Sequence, residues 1–139
     1  MKHLSTPAML EVFLATPNIA ENAADKLCGL SPLLFDIRQL KRLTAEGYLL
    51  AHIISVENVH TYCVWTSQTA DGGLHVNAAV QLTDKGNFDV LVNAIESLAK
   101  SRNCQYLRFN SRRSGLLKQS LKRGYVADSI SMVKKLEYT

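Results

Sequence analysis

The sequence predicts a mixed α/β fold in which an antiparallel sheet is extended by parallel strands. Three observations lead to this class. The chain of 139 residues suits one domain with one sizeable core. Through its middle, apolar and polar residues alternate with the period of two that strands show. In its last third, strand-like and helix-like segments follow one another, which is typical of crossover connections. We expect a single domain over 1–139, with a helical N-terminal part, 1–47, and the sheet with its crossover helices over 48–139.

The N-terminal part is predicted to form three helices. Two of them open with a capping residue followed by proline, at Thr6-Pro7 and at Ser31-Pro32. The first would end at Pro17 and the third at Gly47, and the second would run from Ile19 to about Cys28. The residues that share the apolar face of the first helix are Met9, Leu10, Phe13 and Leu14.

The middle of the chain is predicted to form an antiparallel meander of three strands. The strands are expected at Leu49–Val56, His60–Ser67 and Leu74–Leu82, with short polar turns between them. Nearly perfect alternation in the third strand predicts one apolar face made of Leu74, Val76, Ala78, Val80 and Leu82. The opposite face would carry His75, Asn77, Ala79 and Gln81.

The last part of the chain is predicted to continue as helix, strand, helix and strand. The helices are expected at Phe88 to about Asn103 and at Ser111–Gly124, and the strands at Cys104–Asn110 and Tyr125–Tyr138. The predicted order is therefore N-terminal helices, an antiparallel meander, and then β-α-β-α-β counted from the last meander strand.

Composition narrows the class of function. Hydrophobic residues make up 47% and charged residues 20%, as in an ordinary globular protein, and neither a bilayer-spanning run nor a secretory leader is evident. We therefore expect a cytoplasmic protein without a membrane partner. Three widely spaced cysteines argue against a disulfide framework and a zinc site. The charge of +4 lies mostly in the last third, as a solvated face or an anion-binding patch. Without a recognisable signature, nucleic acid is not the expected partner.

From about Gly47 onward the succession of elements resembles the GNAT family of N-acetyltransferases. The resemblance covers about two-thirds of the chain and is carried most clearly by YLRFNSRRSGLLKQSLKRGYVADSISMVKKL, which looks like that family's strand, helix, K-x-G-F/Y and terminal strand. The RR-x-G start of the helix also resembles short acetyltransferase-like proteins of bacteriophages and prophages. The resemblance implies acetyl-CoA as cofactor and an amine as acceptor.

In that family a Q/R-x-x-G-x-G/A motif joins the fourth strand to a helix and binds the coenzyme A pyrophosphate. Gln81 and Gly86 fit its first and last positions, but Asp84 replaces the middle glycine. Helix N-termini favour anions, whereas a carboxylate repels them unless it turns away or a lysine compensates. We expect Asp84 to cap the following helix. The resemblance implies a cofactor site made of Val80, Gln81, Leu82, Asp84, Lys85, Gly86, Asn87 and Phe88.

Three residues are candidates for the proton transfers that the family performs. The base would be His75 on the strand before the motif, or Glu57 in the hairpin turn. The family's tyrosine acid falls on Ser120, whose hydroxyl is a far poorer acid than a phenol. The other histidines form no metal pattern, so no metal site is expected.

Two functions remain open from the sequence. The first is a divergent acetyl-CoA-dependent N-acetyltransferase that passes the acetyl group directly from thioester to amine. The second is a catalytically inactive member of the fold that binds a protein partner, as a phage virion component or an inhibitor of a host protein, in the host cytoplasm or the virion. Asp84 and Ser120 at motif positions argue for weak or lost activity.

Overall fold

The computed structural model describes residues 9–30, 37–109, 114–126 and 134; for residue 30 and residues 114–117 it describes the backbone alone. The chain divides into two compact units, Met1–Phe109 and Asn110–Thr139. The elements of the first unit are β1 (Leu10–Leu14), α1 (Pro17–Leu30), α2 (Ile37–Ala45), β2 (Leu50–Val56), β3 (Val59–Gln68), β4 (Gly73–Gln81), α3 (Phe88–Ser101) and β5 (Tyr106–Phe109). The second unit contains α4 (Ser114–Lys122).

A five-stranded sheet in the order β1-β2-β3-β4-β5 organises the first unit. The first four strands pair antiparallel, and β5 pairs parallel to β4 after the crossover through α3. The β2–β3 turn consists of Glu57 and Asn58, both with positive φ (52° and 63°), as a two-residue hairpin of the primed type requires. The predicted mixed sheet and its antiparallel meander are confirmed.

The predicted first helix is wrong, because the chain forms the edge strand β1 there. β1 pairs with β2 from Leu10 opposite Val56 to Leu14 opposite His52. In a run of five residues, the spacing of apolar side chains fits a helix and a strand almost equally well, and pairing with β2 decides between them. Pro17 begins α1 instead of ending a helix, which suits its fixed φ and missing N–H. Thr6-Pro7 and Ser31-Pro32 lie outside the described residues.

Two apolar clusters cover the two faces of the sheet. α1 and α2 pack on one face, where the larger buried side chains are Leu27, Leu40, Ile53, Trp65 and Val80. α3 packs on the other face, where they are Ile54, Tyr62, Val64, Leu74 and Ile95. Neighbouring residues of β2 and β3 alternate between the clusters, so both central strands are buried on both sides, as helices on each face require.

A bulge in β4 overturns the prediction of one apolar face for that strand. Trp65 pairs with Ala78 but the next residue, Thr66, pairs with Val76, so Asn77 is an extra residue. One inserted residue shifts the alternation by one. Leu74 and Val76 therefore pack towards α3, whereas Ala78 and Val80 pack towards α1 and α2.

The second unit confirms the predicted end of the last helix. Gly124 has φ +90°, its N–H donates to the carbonyl of Leu121 at 3.2 Å, and the N–H of Tyr125 donates to the carbonyl of Ser120 at 3.1 Å. This bond pattern is the Schellman motif, which glycine permits because it has no Cβ. The predicted last strand lies almost entirely outside the described residues. Within the described ranges, no helix has the length and apolar character needed to cross a membrane.

The three cysteines are free thiols. Cys63 is buried in the sheet, and burial raises its pKa to about 12. At neutral pH this thiol is protonated and unreactive, so its role is packing.

The contact between Gly73 and Tyr106 gives a stability prediction. A Cβ on Gly73 would lie 2.1 Å from the Tyr106 ring, whose hydroxyl is held by hydrogen bonds to Thr69 (2.9 Å) and Asp71. Gly73→Ala should therefore lower the free energy of unfolding by about 1–3 kcal/mol through overpacking. Chemical denaturation measures this change. The control is Gly29→Ala, where a Cβ on α1 meets nothing within 4 Å and should add about 0.5–1 kcal/mol. Equal effects at both sites would contradict the packing argument.

Candidate functional site at the loop between β4 and α3

β4 loses its partner on one side halfway along its length. β5 pairs with Gly73–Val76 only, and the last pair is Val76 with Phe109. Among the described residues no strand continues beside Asn77–Gln81 on that side. The outward N–H and C=O groups of this segment therefore remain open to a ligand immediately before the β4–α3 loop.

The loop itself folds around the side chain of Gln81. The Gln81 amide nitrogen donates to the carbonyl of Thr83 at 2.5 Å. A Cβ on Gly86 would lie 2.2 Å from the Gln81 amide oxygen, so the two residues meet closely. The absence of a side chain at Gly86 is what allows the loop to close this tightly.

Asn87, not Asp84, caps α3. The Asn87 backbone is extended, and its side-chain oxygen accepts hydrogen bonds from the N–H groups of Asp89 at 2.9 Å and Val90 at 3.4 Å. The expected capping role of Asp84 is therefore wrong. Asparagine is as good a cap as aspartate and lies one residue before the helix, where the geometry places the cap. Asp84 is exposed, and within the described ranges its carboxylate accepts no hydrogen bond.

Two residues that the sequence did not single out also contact the loop. Tyr62 of β3 pairs with Gln81, and its hydroxyl accepts the N–H of Asn87 at 2.5 Å. Burial raises the pKa of Tyr62, and the hydrogen bond from the Asn87 N–H offsets part of this rise. Lys26 of α1 donates from Nζ to the carbonyl of Leu82 at 2.8 Å. No local signal marks either residue, because the pairing of β3 with β4 places Tyr62 beside the loop and the packing of α1 on β4 brings Lys26 there.

The loop has the donors that a diphosphate requires. In the described part of the chain, no acceptor faces the N–H groups of Asp84, Lys85, Gly86 and Phe88. Converging N–H groups at a helix N-terminus bind phosphate oxygens. The charges nearly cancel, because Lys26 and Lys85 offset the carboxylates of Asp84 and Asp89. The residues present therefore fit the diphosphate of a nucleotide cofactor through their backbone, without net electrostatic attraction.

His75 lies one residue before the point where β4 and β5 separate. It pairs with Ser67 on one side and Arg108 on the other. Burial, and to a smaller extent the charge of Arg108, lowers its pKa from 6.5. The imidazole is therefore neutral at pH 7 and able to accept a proton.

Glu57 does not join His75. Glu57 lies in the hairpin turn, where its carboxylate accepts the N–H of Met9 at 3.1 Å. Because β3 separates that turn from Ser67, Glu57 and His75 lie about 25 Å apart along the sheet. Ser120 is buried in α4 of the second unit. Among the described residues, no group of three possible metal ligands occurs.

Comparison with solved structures identifies the fold. Over 93% of this chain and 100% of the other, the chain matches a ribosomal-protein-alanine N-acetyltransferase from Brucella melitensis, with 18% identity and a TM-score of 0.63. A GNAT family acetyltransferase from Staphylococcus aureus matches over 91% and 98%, with 19% identity and a TM-score of 0.58. An aminoglycoside N-acetyltransferase in complex with CoA matches over 96% and 99%, with 11% identity and a TM-score of 0.59. The chain has the GNAT fold, as the resemblance in its sequence implied.

Sequence comparison adds no closer relationship. A scan against protein-family models and a search of curated proteins both find no match. The identities to the solved structures lie below the level at which activity can be carried over, so they show the fold alone.

The assignment of the α3 cap can be tested by removing each candidate side chain. Asn87→Ala should lower the free energy of unfolding by about 1 kcal/mol, because two helix N–H groups lose their acceptor. Asn87→Ser should keep most of that stability, and Asp84→Ala should change it by less than about 0.5 kcal/mol. Thermal and chemical denaturation report these values. A larger loss for Asp84→Ala than for Asn87→Ala would contradict the assignment.

Histidine titration should make the fold less stable in mild acid. Burial, with a smaller effect of the Arg102 charge, lowers the pKa of His52, and the pKa of His75 is lowered as well. Arg102 donates to His52 Nε2 at 3.1 Å, which requires a neutral ring. Below pH 6.5 the histidines bind protons more readily in the unfolded chain than in the folded chain. The free energy of unfolding should therefore fall as the pH falls.

Replacing either histidine should reduce that pH dependence. His52→Gln and His75→Gln should each flatten the curve of unfolding free energy between pH 7 and about pH 5, as urea denaturation measures it. An unchanged slope in both test variants would contradict the assigned pKa directions.

Proposed function

We propose that this chain, which has the fold of the N-acetyltransferases, binds acetyl-CoA and transfers the acetyl group directly to an amine. The observation that carries the proposal concerns β4 and the loop after it. Among the described residues, no strand pairs with one side of Asn77–Gln81, and no acceptor is bonded to the N–H groups of Lys85 and Gly86. An extended ligand arm can hydrogen-bond along such an edge while its diphosphate meets the helix N-terminus. The complex of an aminoglycoside N-acetyltransferase with CoA supports a cofactor of this kind.

The chain's own residues would hold the cofactor from its diphosphate inward. The N-terminus of α3 and the N–H groups of Lys85 and Gly86 would receive the diphosphate, with Lys26 and Lys85 as the nearby cations. Val80, Gln81 and Leu82 would border the arm, and Asn87 and Phe88 fix the first turn of the helix. Acetyl-CoA, when bound, would supply the thioester from which the acetyl group is transferred.

His75 is our candidate for the base. The proton of the attacking amine nitrogen would pass to its neutral imidazole, which is placed where β4 and β5 separate. Glu57 is the weaker candidate, because its carboxylate already accepts the N–H of Met9 in the hairpin turn. The acceptor would be a small-molecule or protein amine. No residue among those described discriminates between these two classes.

Protonation of the departing thiolate is the step for which the chain is least equipped. Ser120 takes the position of the family's tyrosine, and a serine hydroxyl gives up its proton far less readily than a phenol. Without a stronger acid, the thiolate would take its proton from water. We therefore expect slow turnover.

A second candidate function is an inactive acetyltransferase fold that binds a protein partner. Three features favour it: the carboxylate of Asp84 in the loop, the Gln81 amide folded against Gly86, and serine at position 120. The first disfavours the diphosphate of acetyl-CoA, the second reduces the space for it in the loop, and the third replaces the acid that would protonate the thiolate. The identity of such a partner as host or phage component is a prediction from the sequence resemblance alone.

Titration calorimetry with acetyl-CoA separates the two functions. The wild-type chain should bind with a dissociation constant on the order of 0.01–1 mM. Asp84→Asn should tighten binding about five- to tenfold by removing a like charge near the diphosphate, and Lys85→Met should weaken it by a similar factor. Glu46→Gln, an exposed change outside the site, is the matched control and should leave binding unchanged.

Binding by the wild type alone would not establish catalysis. A coupled assay for free thiol with an amine acceptor should show slow release of coenzyme A, reduced by His75→Gln without loss of cofactor affinity. Absence of acetyl-CoA binding at several millimolar, in the wild type and in Asp84→Asn alike, would contradict the enzymatic proposal and favour the second candidate.

A further inference from the structure

The edge strand β1 presents an apolar surface that its own sheet does not cover. Leu10 and Leu14 lie on the face of the sheet that carries α3, and they are 39% and 60% exposed. Val12, between them on the same face, is half-buried against the α3 cluster. Two exposed leucines on one edge form a surface suited to a partner.

The backbone of β1 is equally open on its outer side. The N–H of Glu57 donates to the carbonyl of Met9, and the N–H of Ala15 donates to the carbonyl of Ala51, both at 2.9 Å. These two bonds define the hydrogen-bonding pattern between β1 and β2, in which the odd-numbered residues of β1 direct their backbone N–H and C=O groups towards β2. Leu10, Val12 and Leu14 therefore direct their N–H and C=O groups outward. In the part of the chain that the structure describes, no strand lies beyond them.

β1 lacks the usual protection of a free edge. Edge strands are commonly guarded by lysine, proline, a bulge or an inward-pointing charge. The strand LEVFL pairs with β2 without a bulge, and its one charged residue, Glu11, projects from the face opposite the leucines. Within the part of the chain that the structure describes, the leucine face and the backbone are therefore both available for strand addition.

We propose that β1 pairs antiparallel with β1 of a second copy of this chain, about a two-fold axis through Val12. In this register Leu10 lies opposite Leu14 of the second copy, and Leu14 lies opposite Leu10 of the second copy. The outward groups of Leu10, Val12 and Leu14 then form a ladder, and two five-stranded sheets join into one.

Charge and pattern favour a second copy over an unrelated peptide. In the proposed register Glu11 lies opposite Phe13 of the second copy, so the two Glu11 carboxylates do not oppose each other. Phe13 contacts His60 edge-to-face at 5.5 Å, so the side chain that Glu11 meets is apolar with a histidine beside it. The alternation of β1 is thus its own complement, which is what an isologous contact requires.

Sedimentation of the full chain tests the contact. Because one short strand forms it, the wild type should dimerise with a dissociation constant on the order of 10–100 µM. Leu14→Glu should weaken dimerisation at least tenfold, since a carboxylate would then face Leu10 twice in each dimer. The double variant Leu10→Lys with Leu14→Glu should restore it, because each introduced lysine faces an introduced glutamate across the axis.

An exposed leucine outside β1 provides the matched control. Leu121 on α4 is 51% exposed, and Leu121→Glu should leave the dissociation constant unchanged. A wild type that stays monomeric at 1 mM, a dimer indifferent to Leu14→Glu, or a double variant that fails to recover would each overturn the proposal.

Hydrogen exchange of the wild type gives a readout that needs no substitution. The amides of Leu10, Val12 and Leu14 should become protected as protein concentration rises through the dissociation constant. Protection independent of concentration would mean that the edge is covered within a single copy, and it would overturn the proposal. Neither test depends on acetyl-CoA, so failure here leaves the proposed function untouched.

Discussion

The pairing between β4 and β5 ends at Val76 and Phe109, and the proposed function depends on that ending. The extra residue at Asn77 reverses which side chains of β4 point to which face of the sheet. Ala78 and Val80 therefore pack in the apolar cluster with α1 and α2. The first half of β4 has a paired strand on both sides, whereas among the described residues its second half has one on one side only. In a strand with neighbours on both sides, the backbone N–H and C=O groups bond within the sheet, whereas an edge strand leaves some of these groups for a ligand.

The loop that follows balances opposing contributions. The N-terminus of α3 and its flanking N–H groups favour an anion, whereas the carboxylate of Asp84 disfavours it. Lys26 reaches the loop from α1 and offsets one carboxylate. Because Asn87 performs the capping, Asp84 has no structural role within the described residues and can be removed without cost to the helix. We therefore expect its charge to have the most direct effect on phosphate binding at the proposed site.

Sequence reasoning recovered the elements whose signals are local and repeated. The short polar linker between the first two meander strands, the periodicity of α3 and the glycine that ends α4 each predicted what the structure shows. The sequence patterns gave wrong predictions where pairing between distant segments determines the structure. The five residues Leu10–Leu14 are too few for the spacing of apolar side chains to distinguish a helix from a strand. In β4 the apolar and polar residues alternate almost perfectly, so the sequence gives no sign of the bulge. Lys26 was missed because only tertiary packing brings α1 to the loop.

We propose that the loop after β4 binds the diphosphate of acetyl-CoA while the exposed edge of β4 over Asn77–Gln81 binds its arm. Amide chemical shifts recorded during an acetyl-CoA titration test this most directly. We expect the largest changes at Asp84–Phe88 and smaller changes along Asn77–Gln81, whereas the amides of β1 and β2 should stay unchanged. Shifts confined to other surfaces, or none at several millimolar acetyl-CoA, would contradict it.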